Sequence, residues 1–348
     1  MNRGTFYQEA DPERTGRSLW GFWLIALALA GLVIVLIQVK FRSPEVGQPL
    51  PGWRTIRPPY DVMALAIQGD VVWAGGRDGL VAVDRRTGDL LPLPDDSPVR
   101  RYVRDIRLDR RGVLWVGHQD GLSRYAQGQW RRFTQADGLP SGPVTALWVD
   151  QNDSVWIGGE RGISRYDGRS FTTLAHADGL GSAPVDVVYQ TRDGAMWFGS
   201  GSPVRGGLSR FDGQKWQTFT TENGLPHNSV HDLLEDRTGS LWVATGFAQH
   251  GGAARLDLKG WTQLTRRDGL AGEMVRSLFE DRDGRLWFGS EFDGVAVLEG
   301  ATWRILTPRE GLAGWEVKKM LQDDDGVYWL GTDKGLTIID SLNATIGK

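Results

Sequence analysis

Along most of the chain, apolar and polar positions alternate over short runs divided by clusters of Gly, Asp and Asn. Residues 275–306, VRSLFEDRDGRLWFGSEFDGVAVLEGATWRIL, show the unit. VRSLFED, RLWFGS, GVAVL and TWRIL are each five to seven residues long, with turn formers between them. Such alternation turns one face of a strand inward and the other outward, and Gly, Asp and Asn take the conformations that a chain reversal requires. Helical spacing never persists in these runs. Each unit is therefore predicted to be four short strands.

The unit recurs. The leucines of DGLP, DGLG, NGLP, DGLA and EGLA are Leu139, Leu180, Leu225, Leu270 and Leu312, at spacings of 41, 45, 45 and 42. A second motif, VVWAGG in its first copy and VYWLGT in its last, marks seven copies through Trp73, Trp115, Trp156, Trp197, Trp242, Trp287 and Trp329. A four-stranded unit cannot bury its apolar faces alone, and units of this period packed radially form a β-propeller. The expected fold is all-β, a seven-bladed β-propeller over residues 52–348, preceded by one transmembrane α-helix.

The ends of the array predict how it closes. The outer-strand motif seen as GQWRRF, GQKWQTF and ATWRIL also occurs as PGWRTI, before the first Trp-Gly strand. The last repeat ends GLTIIDSLNATIGK, with no aromatic where its fourth strand should lie. The surplus matches the deficit, so residues 52–57 are expected as the outer strand of the seventh blade, beside residues near 335–340. Closure removes edges that would otherwise pair with other chains.

Composition changes this picture little. The 348 residues include 47 Gly, 16 Trp and no Cys, enough for a large core without disulfides. A formal charge of -3 gives no electrostatic reason to expect nucleic acid.

One segment does not fit the propeller. Residues 19–39, LWGFWLIALALAGLVIVLIQV, carry no charge over 21 positions, enough at about 1.5 Å per residue to cross about 30 Å of hydrocarbon. The run is long for a cleaved signal, three acids precede it, and no small-residue cleavage site follows. A membrane anchor is predicted there, after a tail at 1–18 and before a linker at 40–51. Arg3, Arg14 and Arg17 on one side balance Lys40, Arg42 and Arg54 on the other, so basic residues do not orient it. A short tail, one span and a large domain usually insert with the tail inside. The propeller is expected outside the cytoplasm of a bacterium, on its cytoplasmic membrane.

The repeat, DGLP…V..L..D..G.LW.G…GL.R.DG..W..FT, resembles the two-component regulator propeller repeat over about residues 52–340. That family is found in extracytoplasmic ligand-sensing domains of bacterial hybrid sensor kinases, usually ahead of a further β-domain, a span, and kinase and receiver domains. Here the span precedes the propeller and nothing follows the last blade, so kinase activity is not expected to carry over. The resemblance implies a membrane-tethered, extracytoplasmic recognition module.

Candidate chemistry is sparse. The histidines are His118, His176, His227, His231 and His250. His227 and His231 are four apart, but PHNSVH runs from a turn into a strand, where such a pair does not converge on a metal. No metal and no cofactor are expected. The turns EDRDGRLW and QDDDGVYW, with Asp281, Asp283, Asp323 and Asp325, are too short for a calcium loop and read as tight hairpins in which Asp accepts backbone N–H groups. The tryptophan column reads as filler between blades.

Recognition is better sought where the repeats differ. From the Trp to the Gly opening the third strand is six residues in WVGHQDG but ten in WFGSGSPVRGG and WVATGFAQHGG. These insertions, in blades 4 and 5, carry Ser202, Arg205, Phe247, Gln249 and His250 on one face of the ring. At the same end, the residue after the leading Val of each inner strand is Arg104, Thr145, Asp186, His231, Arg276 and Lys318 in blades 2–7, followed by Asp105, Ala146, Val187, Asp232, Ser277 and Lys319. The expected ligand- or partner-binding residues are Arg104, Asp105, Asp186, Arg205, His231, Asp232, His250, Arg276 and Lys318.

Two classes of function remain open. The first, and the expected one, is a non-catalytic sensing or docking module for a small polar ligand such as a saccharide, or for a partner protein such as a sensor kinase. The second is an enzyme resembling streptogramin lyases, which share a seven-bladed propeller and G.LWF-type strands. A lyase needs a metal, a histidine pair and an acid in adjacent loops, which only His250 with Glu291 approaches.

Overall fold

The computed structural model describes residues 49–342 apart from 95, 96, 100, 141, 175–179, 182 and 183. The predicted tail, the span at 19–39, most of the linker and His176 lie outside the described residues. No helix among the described residues is long and apolar enough to cross a membrane.

The strands form seven antiparallel sheets of four, each a blade. Six blades are continuous in sequence, from Val62–Gln68 as the innermost strand of blade 1 to Thr302–Leu306 as the outermost of blade 6. Blade 7 takes Val317–Gln322, Tyr328–Thr332 and Gly335–Ile339 from the end of the chain, and its outer strand is Trp53–Ile56. Trp53 pairs with Ile339 and Ile56 with Leu336, as the surplus PGWRTI motif predicts. Asp340 N donates to Gly52 O at 2.9 Å beyond the end of this ladder. Each inner strand packs on that of the next blade, and the inner strand of blade 7 packs on that of blade 1.

The reason for the Trp-x-Gly motif lies between blades. A Cβ on Gly117 would sit 2.6 Å from Cγ1 of Val144, and one on Gly331 would sit 2.6 Å from Cγ1 of Val62. Gly75 and Gly199 meet Val103 and Val230 in the same way. The leading valine of each inner strand thus fills a hole left by the missing side chain in the preceding blade. Val62, Val103, Val230 and Val317 are wholly buried. Only blade 5 departs, with Ala244 in the glycine position, buried in a cluster with Val275.

The tryptophans two residues earlier fill the rest of the inter-blade space. Trp73, Trp115, Trp156, Trp197, Trp242, Trp287 and Trp329 are all buried, and each indole N–H is matched. Trp115, Trp156, Trp242, Trp287 and Trp329 donate to Asp109, Asp150, Asp236, Asp281 and Asp323, six residues upstream, at 2.8–3.2 Å. Trp73 uses Gln68 and Trp197 uses Thr191. The other carboxylate oxygen of Asp281 accepts from Asp283 N and Arg285 N, at 3.0 and 2.9 Å, which closes the hairpin. Each acidic turn is therefore a backbone clamp whose second oxygen anchors a core tryptophan. Side chains also bridge neighbouring blades on this face: Arg237 of blade 5 reaches Glu280 of blade 6, and Arg282 of blade 6 reaches Asp324 of blade 7.

Overpacking such a hole forces backbone shifts that cost about 1–3 kcal/mol. Gly117→Val should therefore lower stability by about that amount in urea unfolding followed by tryptophan fluorescence, whereas Gly117→Ala, the arrangement blade 5 tolerates, should cost less. Equal midpoints for wild type and Gly117→Val would contradict the inter-blade fit.

Candidate functional site

The valine that docks each inner strand also aims the residue after it. In six blades the ladder between inner and second strands slips by one residue at this point, between Val62 and Ala64 and between Val103 and Asp105, for example. A residue bulged out of register is left unpaired and its side chain is redirected. Met63, Arg104, Thr145, His231, Arg276 and Lys318 hold that position, and Asp186 occupies it in blade 4. All seven line one cavity of about 460 Å³ at the mouth of the central channel, together with Pro184, Gly201 and Ser202.

Five expected binding residues, Arg104, Asp186, His231, Arg276 and Lys318, are therefore brought together. The other four are not in the lining. Asp105 turns toward the next blade, where its carboxylate accepts Leu147 N at 2.9 Å, and it pairs with Arg107 of its own strand at 3.3 Å. Asp232 does the same, accepting Leu278 N at 3.0 Å. After the bulge the strand resumes its alternation, so this second column faces the neighbouring strand rather than the channel. Arg205 is exposed in the loop of blade 4 and His250 is exposed in blade 5.

The two insertions differ in kind. That of blade 4 is an irregular loop whose Gly201 O accepts from Ser229 Oγ at 2.7 Å, so it rests on the start of blade 5. That of blade 5 lengthens the ladder instead: Leu241–Phe247 and His250–Asp257 stay paired to Phe247 and His250. Ala248 and Gln249 have φ of 50° and 66°, as a two-residue hairpin turn requires. Gln249 N contacts Sδ of Met274, which draws the hairpin toward blade 6.

Half of the mouth is tied into an ionic arc. Arg276 Nη1 donates to His231 Nδ1 at 3.1 Å, and His231 Nε2 lies 2.6 Å from Gly246 O. Arginine only donates and a carbonyl only accepts, so the ring carries its proton on Nε2 and is neutral. Arg276 Nε lies 3.2 Å from Glu316 and 3.7 Å from Glu291. Lys318 Nζ joins Glu316 at 3.1 Å and Asp61 at 2.7 Å, and Arg77 faces Asp61 from outside. Burial, then the Arg276 charge, lowers the His231 pKa to about 4. Burial raises the carboxyls of Asp186 and Glu291; the Gly201 amide with Arg104 and Arg276 opposes this at Asp186, and Arg276 opposes it at Glu291.

Sequence reasoning missed Met63, which DVMALAIQ would have supplied by extending the column into blade 1, and the blade 4 lining Pro184, Gly201 and Ser202. No single motif marks the bulge.

The repeats themselves decide the relationship. Residues 224–247 and 269–292 match the family model described as Two component regulator propeller. The chain carries two component regulator propeller repeats. Among solved structures, this propeller resembles the extracellular domain of the putative hybrid two component system BT3049 from B. thetaiotaomicron. The TM-score is 0.72 at 17% identity, over 84% of this chain and 42% of that one. It also resembles PorZ, a bacterial surface component of the type-IX secretion system of Porphyromonas gingivalis, with TM-score 0.65, 15% identity, and 84% and 48% of the two chains covered. A third likeness is to virginiamycin B lyase from Staphylococcus aureus, at TM-score 0.65 and 13% identity, over 83% of this chain and 99% of that one. This chain thus spans less than half the length of the first two. At these identities the likeness establishes the propeller fold. No curated protein matches the sequence.

The lowered His231 pKa has a consequence for stability. Between the unfolded value of 6.5 and the folded value of about 4, the unfolded chain binds the proton more readily, so this contribution is present above about pH 6.5 and lost as pH falls toward 4. His118, buried against Ser123, shifts the same way. Urea midpoints should be lower near pH 5 than near pH 7, and His231→Gln should flatten part of that difference.

Proposed function

We propose that this chain is a non-catalytic recognition propeller, tethered to the bacterial cytoplasmic membrane through residues 19–39 and displayed outside the cytoplasm. Its mouth binds a small polar ligand or docks a polar segment of a partner protein, in a sensing role of the kind two-component systems use. The observation that carries this reading is the bulged ring, in which every blade contributes the same position to one cavity. A packing feature does not need Arg, Asp, His, Arg and Lys side by side in a channel, whereas polar recognition does. A binding role also suits His231, whose two ring nitrogens are engaged by Gly246 and Arg276 rather than free to move a proton. The resembling BT3049 domain is extracellular and PorZ is a surface component, which supports an external address.

Screening saccharides and polar metabolites against the full-length protein in detergent, by thermal shift, tests the site. Arg104→Ala or Arg276→Ala should weaken a hit about ten- to hundredfold, because a charged contact to the ligand is worth about 1.5–3 kcal/mol. Arg169→Ala, exposed at a turn on the opposite face, should leave both binding and melting unchanged. Binding left unchanged in both arginine variants would remove the mouth from consideration.

Topology is tested with a cleavable tag after Lys348. Protease added to intact spheroplasts should remove the tag. Cleavage only after lysis would place the propeller in the cytoplasm.

A further inference from the structure

The two halves of the mouth are unequal, and the inequality points to a class of ligand. In blades 5–7 the cations already have partners. Arg276 is held by His231, Glu316 and Glu291, and Lys318 by Glu316 and Asp61. With Arg77, three cations face three carboxylates in this arc, and His231 is neutral. It presents little net charge to a ligand.

The other half is open. The Arg104 side chain is exposed to the cavity and makes no hydrogen bond or ion pair among the described residues. Asp186, from the second blade along, lines the same cavity and feels the Arg104 charge. One of its oxygens accepts Gly201 N at 2.7 Å, and the other accepts no hydrogen bond within the described residues. Thr145 stands between them, its hydroxyl donating to Val185 O at 2.5 Å and still able to accept. A free guanidinium fork wants a planar anion, and a half-used carboxylate wants a donor. A dianion such as phosphate would be repelled by Asp186, while one carboxylate matches one arginine. A cavity of about 460 Å³ lies in the usual range for small ligands.

Building on the mouth as the recognition site, we infer that Arg104, Thr145 and Asp186 bind a ligand carrying a carboxylate with a hydrogen-bond donor on a neighbouring carbon, a sugar acid or an amino acid. Arg104 takes the carboxylate. Asp186 takes the hydroxyl or ammonium beside it.

Saturation-transfer NMR on the full-length protein in detergent tests this with four probes: D-gluconate, L-alanine, D-glucose and inorganic phosphate. Gluconate or alanine should bind at least about tenfold more tightly than glucose or phosphate, and whichever binds identifies the source. Arg104→Gln should weaken that probe about tenfold or more, Asp186→Asn should weaken it less, and Arg169→Gln should leave it unchanged. Binding of glucose or phosphate as tight as that of the acids overturns the inference, as does failure of both acids to bind, or acid binding that survives Arg104→Gln. Glucose binding lost in Arg276→Ala would overturn the carboxylate and keep the mouth. Binding of any probe indifferent to both arginines would overturn the mouth as well.

Discussion

The docking of a valine into the hole beside a glycine is the contact on which the rest of this propeller depends. Val144 against Gly117 and Val62 against Gly331 set how closely adjacent inner strands approach and where along the strand the blades meet. Because the glycine follows the core tryptophan by two residues, the same register brings the indole against the neighbouring blade. Its N–H is then satisfied by the aspartate that closes the preceding turn. Burying an indole without that partner would leave a donor orphaned in the core. Short range and long range are coupled through one side chain.

That contact also makes the mouth. The valine is fixed by packing, so the extra residue of the bulge has only the channel to enter. Seven repeats of a packing device thereby yield seven positions around one opening whose identity differs from blade to blade while the valine beside each stays in the core. Their present identities are asymmetric. Blades 5–7 carry cations compensated by Glu291, Glu316 and Asp61, while blades 2–4 carry Arg104 and Asp186 with unused bonding capacity. Such an arrangement ties the side chains on one side of the opening to one another and leaves bonding capacity unused on the other.

Much of this was legible from the chain. The period, the seven tryptophans and the misplaced PGWRTI motif state the blade number and its closure, because each is a local requirement repeated in sequence. The mouth column was legible too, once the leading valines were aligned. What misled was treating the following column as part of the mouth. Asp105 and Asp232 are polar because each accepts a backbone N–H of the next blade, from Leu147 and Leu278, a use that composition alone does not separate from ligand binding. The insertion of blade 5 was equally ambiguous, since four added residues can make a loop or two more rungs of ladder, and it is Ala248 and Gln249 at positive φ that make it the latter.

Sequence by itself determined the strand length, the turn chemistry and the count of blades, since these follow from alternation, from aspartate and glycine in the turns, and from a repeat of 41 to 45 residues. Only the tertiary structure decided which charges meet. Lys318 and Asp61 lie at opposite ends of the propeller sequence yet stand 2.7 Å apart because the ring closes, and Arg276 reaches His231 because the blades that carry them are adjacent. The physical reason is that periodicity specifies each blade from its own residues, whereas a side chain's partner, and hence its charge and its availability to a ligand, is set by the angle and approach at which separate blades pack.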